Sequence, residues 1–153
     1  MSRDSTGSEQ EPYDELYVYT LTHGDPAFIH QYVVDAFAVQ YSDDQTKPIK
    51  LTFGLVGLYL HLEKQFSGRQ VQLAHMRLGR KRQVWPEFDI PDDRGSMTPS
   101  DVIAASAGPA RDKAIDDWCV SVWTPWQANR RRIADLLEKH EVIHHAAPDD
   151  PTT

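Results

Sequence analysis

The chain has a single cysteine, Cys119, in 153 residues. No internal disulfide can form and no cysteine-based zinc knuckle, so the fold has to rest on its core. The lack of paired cysteines fits a reducing compartment, and the expected setting is cytoplasmic. Long apolar runs are missing too. The longest, Leu51 to Leu62, covers about twelve residues, whereas a membrane span needs roughly twenty. It also contains Thr52, two glycines and His61, which suits a buried helix better. Met1 to Pro12 is polar and acidic, without the basic flank and apolar stretch of a signal peptide. No Gly-rich loop follows a strand, so neither a P-loop nor a dinucleotide fold is indicated. Strand-like alternation of period two is absent, as is any internal repeat.

What is present is globular composition: 40% apolar and 25% charged residues. A chain of this length fits one domain and buries roughly 70% of the surface that it exposes when unfolded. The net charge is −7, which repels a phosphate backbone unless basic residues gather on one face. Two basic clusters occur, Arg77–Arg80–Lys81–Arg82 and Arg130–Arg131–Arg132. Each falls near the end of an expected helix, where cations complement the dipole and solvate freely. Neither a nucleic acid nor a membrane is therefore the expected partner.

Helix punctuation is legible along most of the chain. Residues 1–11 and 141–153 read as disordered, flanking a single helical domain over 12–140. A short helix is expected from Tyr13 to Leu21, broken by His23-Gly24. Asp25-Pro26, an N-cap followed by a helix-opening proline, should start a second helix to about Tyr41, with Ile29, Val33, Ala36, Phe37 and Gln40 on one stripe. Thr46 caps and Pro48 opens a third, running to about Phe66 through Ile49, Phe53, Val56 and Leu60. This helix is apolar nearly all round and so central. Gly54 and Gly57 each cost about 1 kcal/mol of helix propensity, a penalty that close approach by a neighbour would offset. Ser67-Gly68-Arg69-Gln70 has the capping-box form and opens a fourth helix through Val71, Ala74, His75 and Leu78. Val84 to Met97 reads as an extended connection lying over the bundle. Thr98-Pro99-Ser100-Asp101 starts a short helix to about Ala105. A long last helix should run from Ala110 to His140, with Ile115, Trp118, Val122, Trp126, Ile133 and Leu137 inward and a kink at Pro125. The expected fold is all-α, an irregular bundle of about five to six helices.

Chemistry concentrates on histidine. His30, His61 and His75 fall inside expected helices and turn towards apolar neighbours at about 100° per residue. The short link between the third and fourth helices makes them antiparallel and brings His61 and His75 to similar heights. Three neutral imidazoles meeting in a bundle could hold one divalent metal such as zinc. Asp35, Glu63 and Asp25 are the carboxylates available as a fourth ligand or to orient a ring. Against this, a half-buried helical histidine is more often a hydrogen-bonded core residue, and no pair has the i,i+4 His-His or Glu-x-x-His spacing. Cys119 has no adjacent His or Lys and reads as an inert buried thiol. Trp85, Trp118, Trp123 and Trp126 read as core by default, or else as a pocket lining.

Several strings are familiar together: His30 to Gln40, Gly57 to Glu63, Ser67 to Met76, and Trp85-Pro86 with Asp93-Arg94-Gly95. They resemble a bacterial family known only as a domain of unknown function, in a short form without the N-terminal cysteine cluster of longer relatives. The resemblance implies no activity, but it puts His30, Asp35, His61 and His75 first among positions of interest. Two functions then stand side by side. One is a binding or regulatory domain, as a homodimer or with a protein partner, that uses its long last helix or a Trp-rich face. The other is a metal-dependent enzyme, hydrolase-like, with His30, His61 and His75 as ligands and Asp35 as base or orienting group. A DNA-binding helix pair is a third, which the −7 charge opposes.

Overall fold

A computed structural model describes residues 2–22, 27–80 and 83–143, with side chains from residue 9 onward. It is all-α, and no strand occurs among the described residues. The helices are α1 (Ser2–Thr22), α2 (His30–Gln40), α3 (Pro48–Lys64), α4 (Gly68–Gly79), α5 (Pro99–Ala104), α6 (Pro109–Trp123) and α7 (Arg130–Lys139). A 3-10 stretch, Thr124–Asn129, joins the last two. Pro125 has no N–H to donate, and the α ladder gives way there to the tighter turn, as its position led one to expect.

Helices α2 and α3 are the centre. Helix α2 packs against α1, α3, α4 and α6, while α3 also meets α4, α6 and α7. The stripe of the last helical stretch is inward throughout: Ile115, Trp118, Val122, Trp126, Ile133 and Leu137 are all buried. The apolar α3 buries Leu51, Leu55, Val56, Leu58, Tyr59 and Leu60, although Ile49 at its start stays exposed. Close approach by a neighbour does offset the two α3 glycines. A Cβ on Gly54 would lie 2.8 Å from Val39 Cγ2 and 3.2 Å from the Asp35 carbonyl, and one on Gly57 would overlap the Asp35 carboxyl.

Helix boundaries differ from expectation where tertiary contacts intervene. Helix α1 begins at Ser2 rather than Tyr13 and continues through Pro12. Its first half is pinned to α5 by Glu9, whose carboxylate accepts from the Ser100 amide and hydroxyl at 2.9 Å. The Asp25-Pro26 opening lies outside the described residues, and α2 becomes regular only at His30. Residues 27 and 28 instead close off α4: the Ala27 carbonyl accepts from the Arg69 amide at 3.0 Å, and Phe28 adopts φ 60°. Gly68 permits this because any Cβ there would overlap the Phe28 carbonyl. Thr46 does not cap α3. Its hydroxyl accepts from the Asp43 amide at 2.9 Å and closes the preceding turn, which leaves Lys47 at the cap without a side-chain bond. The capping box at Ser67–Gln70 forms as read, and α5 starts at Pro99 as expected, with the Asp101 carboxylate accepting from the Thr98 amide at 2.9 Å. After α7, Glu141 turns left-handed at φ 59°, and the Val142 amide donates back to Leu137 at 2.9 Å. Val142 and Ile143 thereby pack against the core.

The extended connection is anchored over the bundle by a polar hub. Gln40 on α2 accepts from Trp118 Nε1 at 2.8 Å and donates to the carbonyls of Arg94 (3.1 Å) and Met97 (2.7 Å). Arg94 returns the arrangement, donating to the carbonyls of Gln40, Pro91 and Ser42. Its guanidinium thus covers the carbonyl end of α2, where a cation complements the helix dipole. No helix among the described residues is long and apolar enough to cross a membrane.

Candidate functional site

Gln31 and Asp35 lie one turn apart on α2 and so share a face. That face meets Gly57 on α3 and His75 on α4. Gln31 Nε2 donates to Asp35 Oδ1 at 3.1 Å and lies 3.5 Å from His75 Nδ1. His75 Nε2 is 2.8 Å from the Phe53 carbonyl, which can only accept, so the proton resides on Nε2 and Nδ1 is the acceptor for Gln31. The ring stacks on Phe53 at 4.9 Å. Asp35 Oδ2 is buried without a hydrogen bond and lies 3.9 Å from His75 Nε2.

That separation is too long for a hydrogen bond, and both groups are pushed towards neutrality. Burial raises the Asp35 carboxyl well above the ordinary carboxylate range, and the Gln31 hydrogen bond only partly opposes it. Burial lowers His75 to about 4 against the help of the Phe53 carbonyl. The pair is a neutral acid beside a neutral imidazole, not an ion bridge. Such a centre pins three helices together and, by burial, favours the protonated form of the Asp35 carboxyl. Both nitrogens of His75 are already engaged.

The other expected site residues lie elsewhere. His30 is buried between α1 and α2, with Nδ1 2.9 Å from Thr20 Oγ1 and an edge contact to Tyr17. Burial lowers its pKa. His61 sits in the last turn of α3 and faces α6: its Nε2 is 3.0 Å from Asp116 Oδ1, and its ring stacks on Tyr32 at 3.5 Å. His75, by contrast, is level with Phe53, eight positions before His61 and so about 12 Å further along the helix axis. The expectation of equal heights fails because His61 is in the turn next to the link, while His75 comes about two turns into α4. Of the expected residues, the structure brings His75 and Asp35 together and keeps His30 and His61 apart from them. Among the described residues, no three side chains of metal-binding kinds meet. Glu63 accepts from Trp123 Nε1 at 2.9 Å and from Arg130, and Asp25 lies outside the described residues. Cys119 is free and buried, its thiol pushed well above its usual pKa by burial.

The surface holds what the sequence reading missed. Trp118, Trp123 and Trp126 are buried, so no Trp-rich face is available to a partner. The two basic clusters also part company. Arg130, Arg131 and Arg132 stand at the start of α7, where the dipole opposes them, and each meets a carboxylate: Glu63, Asp135 at 3.2 Å and Asp89 at 3.2 Å. On α4, Arg69, Arg77 and Arg80 point outward, and no carboxylate pairs with them among the described residues. Lys81 and Arg82 of that cluster lie outside the described residues. Between the α4 arginines, Leu73 and Met76 are 57% and 51% exposed. A shallow groove beside them is lined by Phe66, Gln70, Ala74, Arg77 and Val142. One available signal was that residues 68–86 contain no Asp or Glu.

A family model described as a family of unknown function (DUF5946) matches residues 5–127, from within α1 to the 3-10 stretch. No curated protein and no solved structure matches the chain. The chain belongs to the DUF5946 family.

Proposed function

We propose that this member of the DUF5946 family is a protein-interaction module with a regulatory role, and that the outward face of α4 receives its partner. The observation that carries the reading is the strip of Arg77 and Arg80, which pair with no carboxylate among the described residues, beside half-exposed Leu73 and Met76, with Arg69 held over Phe28 at its far end. Covering those two side chains would contribute roughly 1 kcal/mol each for the part still exposed. Guanidinium groups that lack a carboxylate partner would select against a neutral or basic partner. The ligand that fits is an acidic amphipathic helix, with apolar residues over Leu73 and the groove and carboxylates over the arginines. A nucleic-acid backbone fits less well, since it offers nothing to the apolar centre of the strip and meets a chain of net charge −7. The enzyme reading loses its support because His30, His61 and His75 are each engaged with separate partners. A cytoplasmic, bacterial setting belongs to the same reading, supported by the lone buried Cys119 and by the string resemblance.

The test is an amide-resolved NMR titration with a synthetic helical peptide that bears leucines flanked by glutamates on one face. Shifts should gather on residues 69–80, weaken with salt and vanish in Leu73→Glu. A short DNA duplex that shifts those amides where the peptide does not would overturn the reading.

A further inference from the structure

The face that complements α4 is present in the chain itself. From Asp4 to Thr46 there is no Lys or Arg, and Glu11, Asp14 and Glu15 are exposed on α1. On the same side of that helix, Val18 and Leu21 are 57% and 50% exposed. Helix α1 is therefore acidic and apolar outward where α4 is basic and apolar outward. The spacings also match. Glu11, Asp14 and Val18 are separated by steps of three and four along α1, and Arg80, Arg77 and Leu73 by steps of three and four in the opposite direction along α4. At about 1.5 Å rise per residue, an antiparallel pairing sets Glu11 against Arg80, Asp14 against Arg77 and Val18 against Leu73 in one register.

Resting on the α4 docking reading, we infer that the partner is a second copy of this chain, with α1 of each copy lying antiparallel on α4 of the other. The fold allows both contacts to form at once. Thr20 and Tyr17 near the end of α1 touch His30, His30 lies 5.5 Å from Phe28, and Phe28 lies under the Arg69 guanidinium at 4.5 Å. The end of α1 and the start of α4 are thus neighbours at one end of the molecule. A two-fold axis running along the helices keeps heights unchanged, so it sets α1 on the partner's α4 and α4 on the partner's α1 in the same register. The contact is self-complementary and closes.

The experiment uses the full chain in sedimentation velocity, at protein concentrations up to roughly 1 mM and at about 0.05 M and 0.5 M salt. A dimer is expected at low salt, with a dissociation constant that rises at least about tenfold at high salt. Asp14→Arg and Arg77→Glu should each weaken it at least about tenfold, and the two together in one chain should restore it. Circular dichroism and melting of each variant check the fold. A monomer under all conditions, a dimer indifferent to both single changes, or a double variant no better than the singles would each overturn the inference. The docking reading is judged separately, by whether the leucine–glutamate peptide still shifts residues 69–80 in Asp14→Arg. Peptide binding without a dimer sinks only the inference about the partner, and absence of both sinks the two together.

Discussion

The arginines of α7 and those of α4 occupy opposite situations. At the start of α7, Arg130, Arg131 and Arg132 each reach a carboxylate, two of them supplied by distant parts of the chain, Glu63 and Asp89. On α4, Arg69, Arg77 and Arg80 reach none among the described residues and surround exposed apolar side chains. Arg94 marks the far end of the same scale, donating to three backbone carbonyls and lying 5.6 Å from the Trp126 ring. A cation that the fold has satisfied is part of the architecture. One left unsatisfied beside exposed leucine and methionine is available for another molecule.

The comparison can be broken by removing these side chains in turn. Arg94→Ala should have the largest effect, about 3 kcal/mol of unfolding free energy in urea titration, because it strips a guanidinium from part-buried carbonyls and frees the extended connection. A loss under about 1 kcal/mol would mean that the hub contributes little. Arg130→Ala should cost about 1 kcal/mol, since its pair with Glu63 is half-exposed and screened by solvent. Arg77→Ala should leave stability within about 0.5 kcal/mol of the parent while weakening association. Equal destabilisation at Arg130 and Arg77 would erase the distinction.

The buried centre sharpens the contrast through pH. The folded chain holds the Asp35 proton above the pH at which the unfolded chain releases it, from a carboxyl of ordinary pKa 3.8. Stability from this group is full below that value and is lost as pH rises towards the folded pKa. His75 acts in the opposite sense. The unfolded imidazole takes up a proton below 6.5 while the folded one resists to about 4, so its contribution is present above 6.5 and lost as pH falls to about 4. Asp35→Asn should therefore gain on the parent in urea midpoint as pH rises above about 4, and His75→Gln should flatten the acid side. Parallel pH profiles for parent and variants would show that the centre is not protonated as described.

How much was readable follows from how local each cause is. The Ser67–Gln70 box, the helix start at Thr98-Pro99 and the Pro125 interruption are written within a few adjacent residues, and they form as read. The small-residue contact at Gly54 and Gly57 was legible as a need for a neighbour, but not as Asp35 in particular. The start of α2, the cap of α3 and the separation of His61 from His75 were not legible. Two of these depend on residues far along the chain, Arg69 drawing on Ala27 and Asp116 and Phe53 claiming the two rings, while the third turns on a local competition in which the Asp43 amide occupies the Thr46 hydroxyl. The Trp-rich face failed for the same reason, since helical spacing tells which tryptophans share a side but not that the side is covered.

Taken alone, the order of apolar and polar residues determined an all-helical chain, its inward stripes and most of its helix ends, because backbone hydrogen bonding and burial over one or two turns respond to near neighbours. Which charges find partners, which imidazoles meet, and which arginines remain outward were decided only when distant segments packed. Electrostatic and hydrogen-bond satisfaction is a property of pairs in space, and in this molecule those pairs lie as far apart in sequence as Glu63 and Arg130.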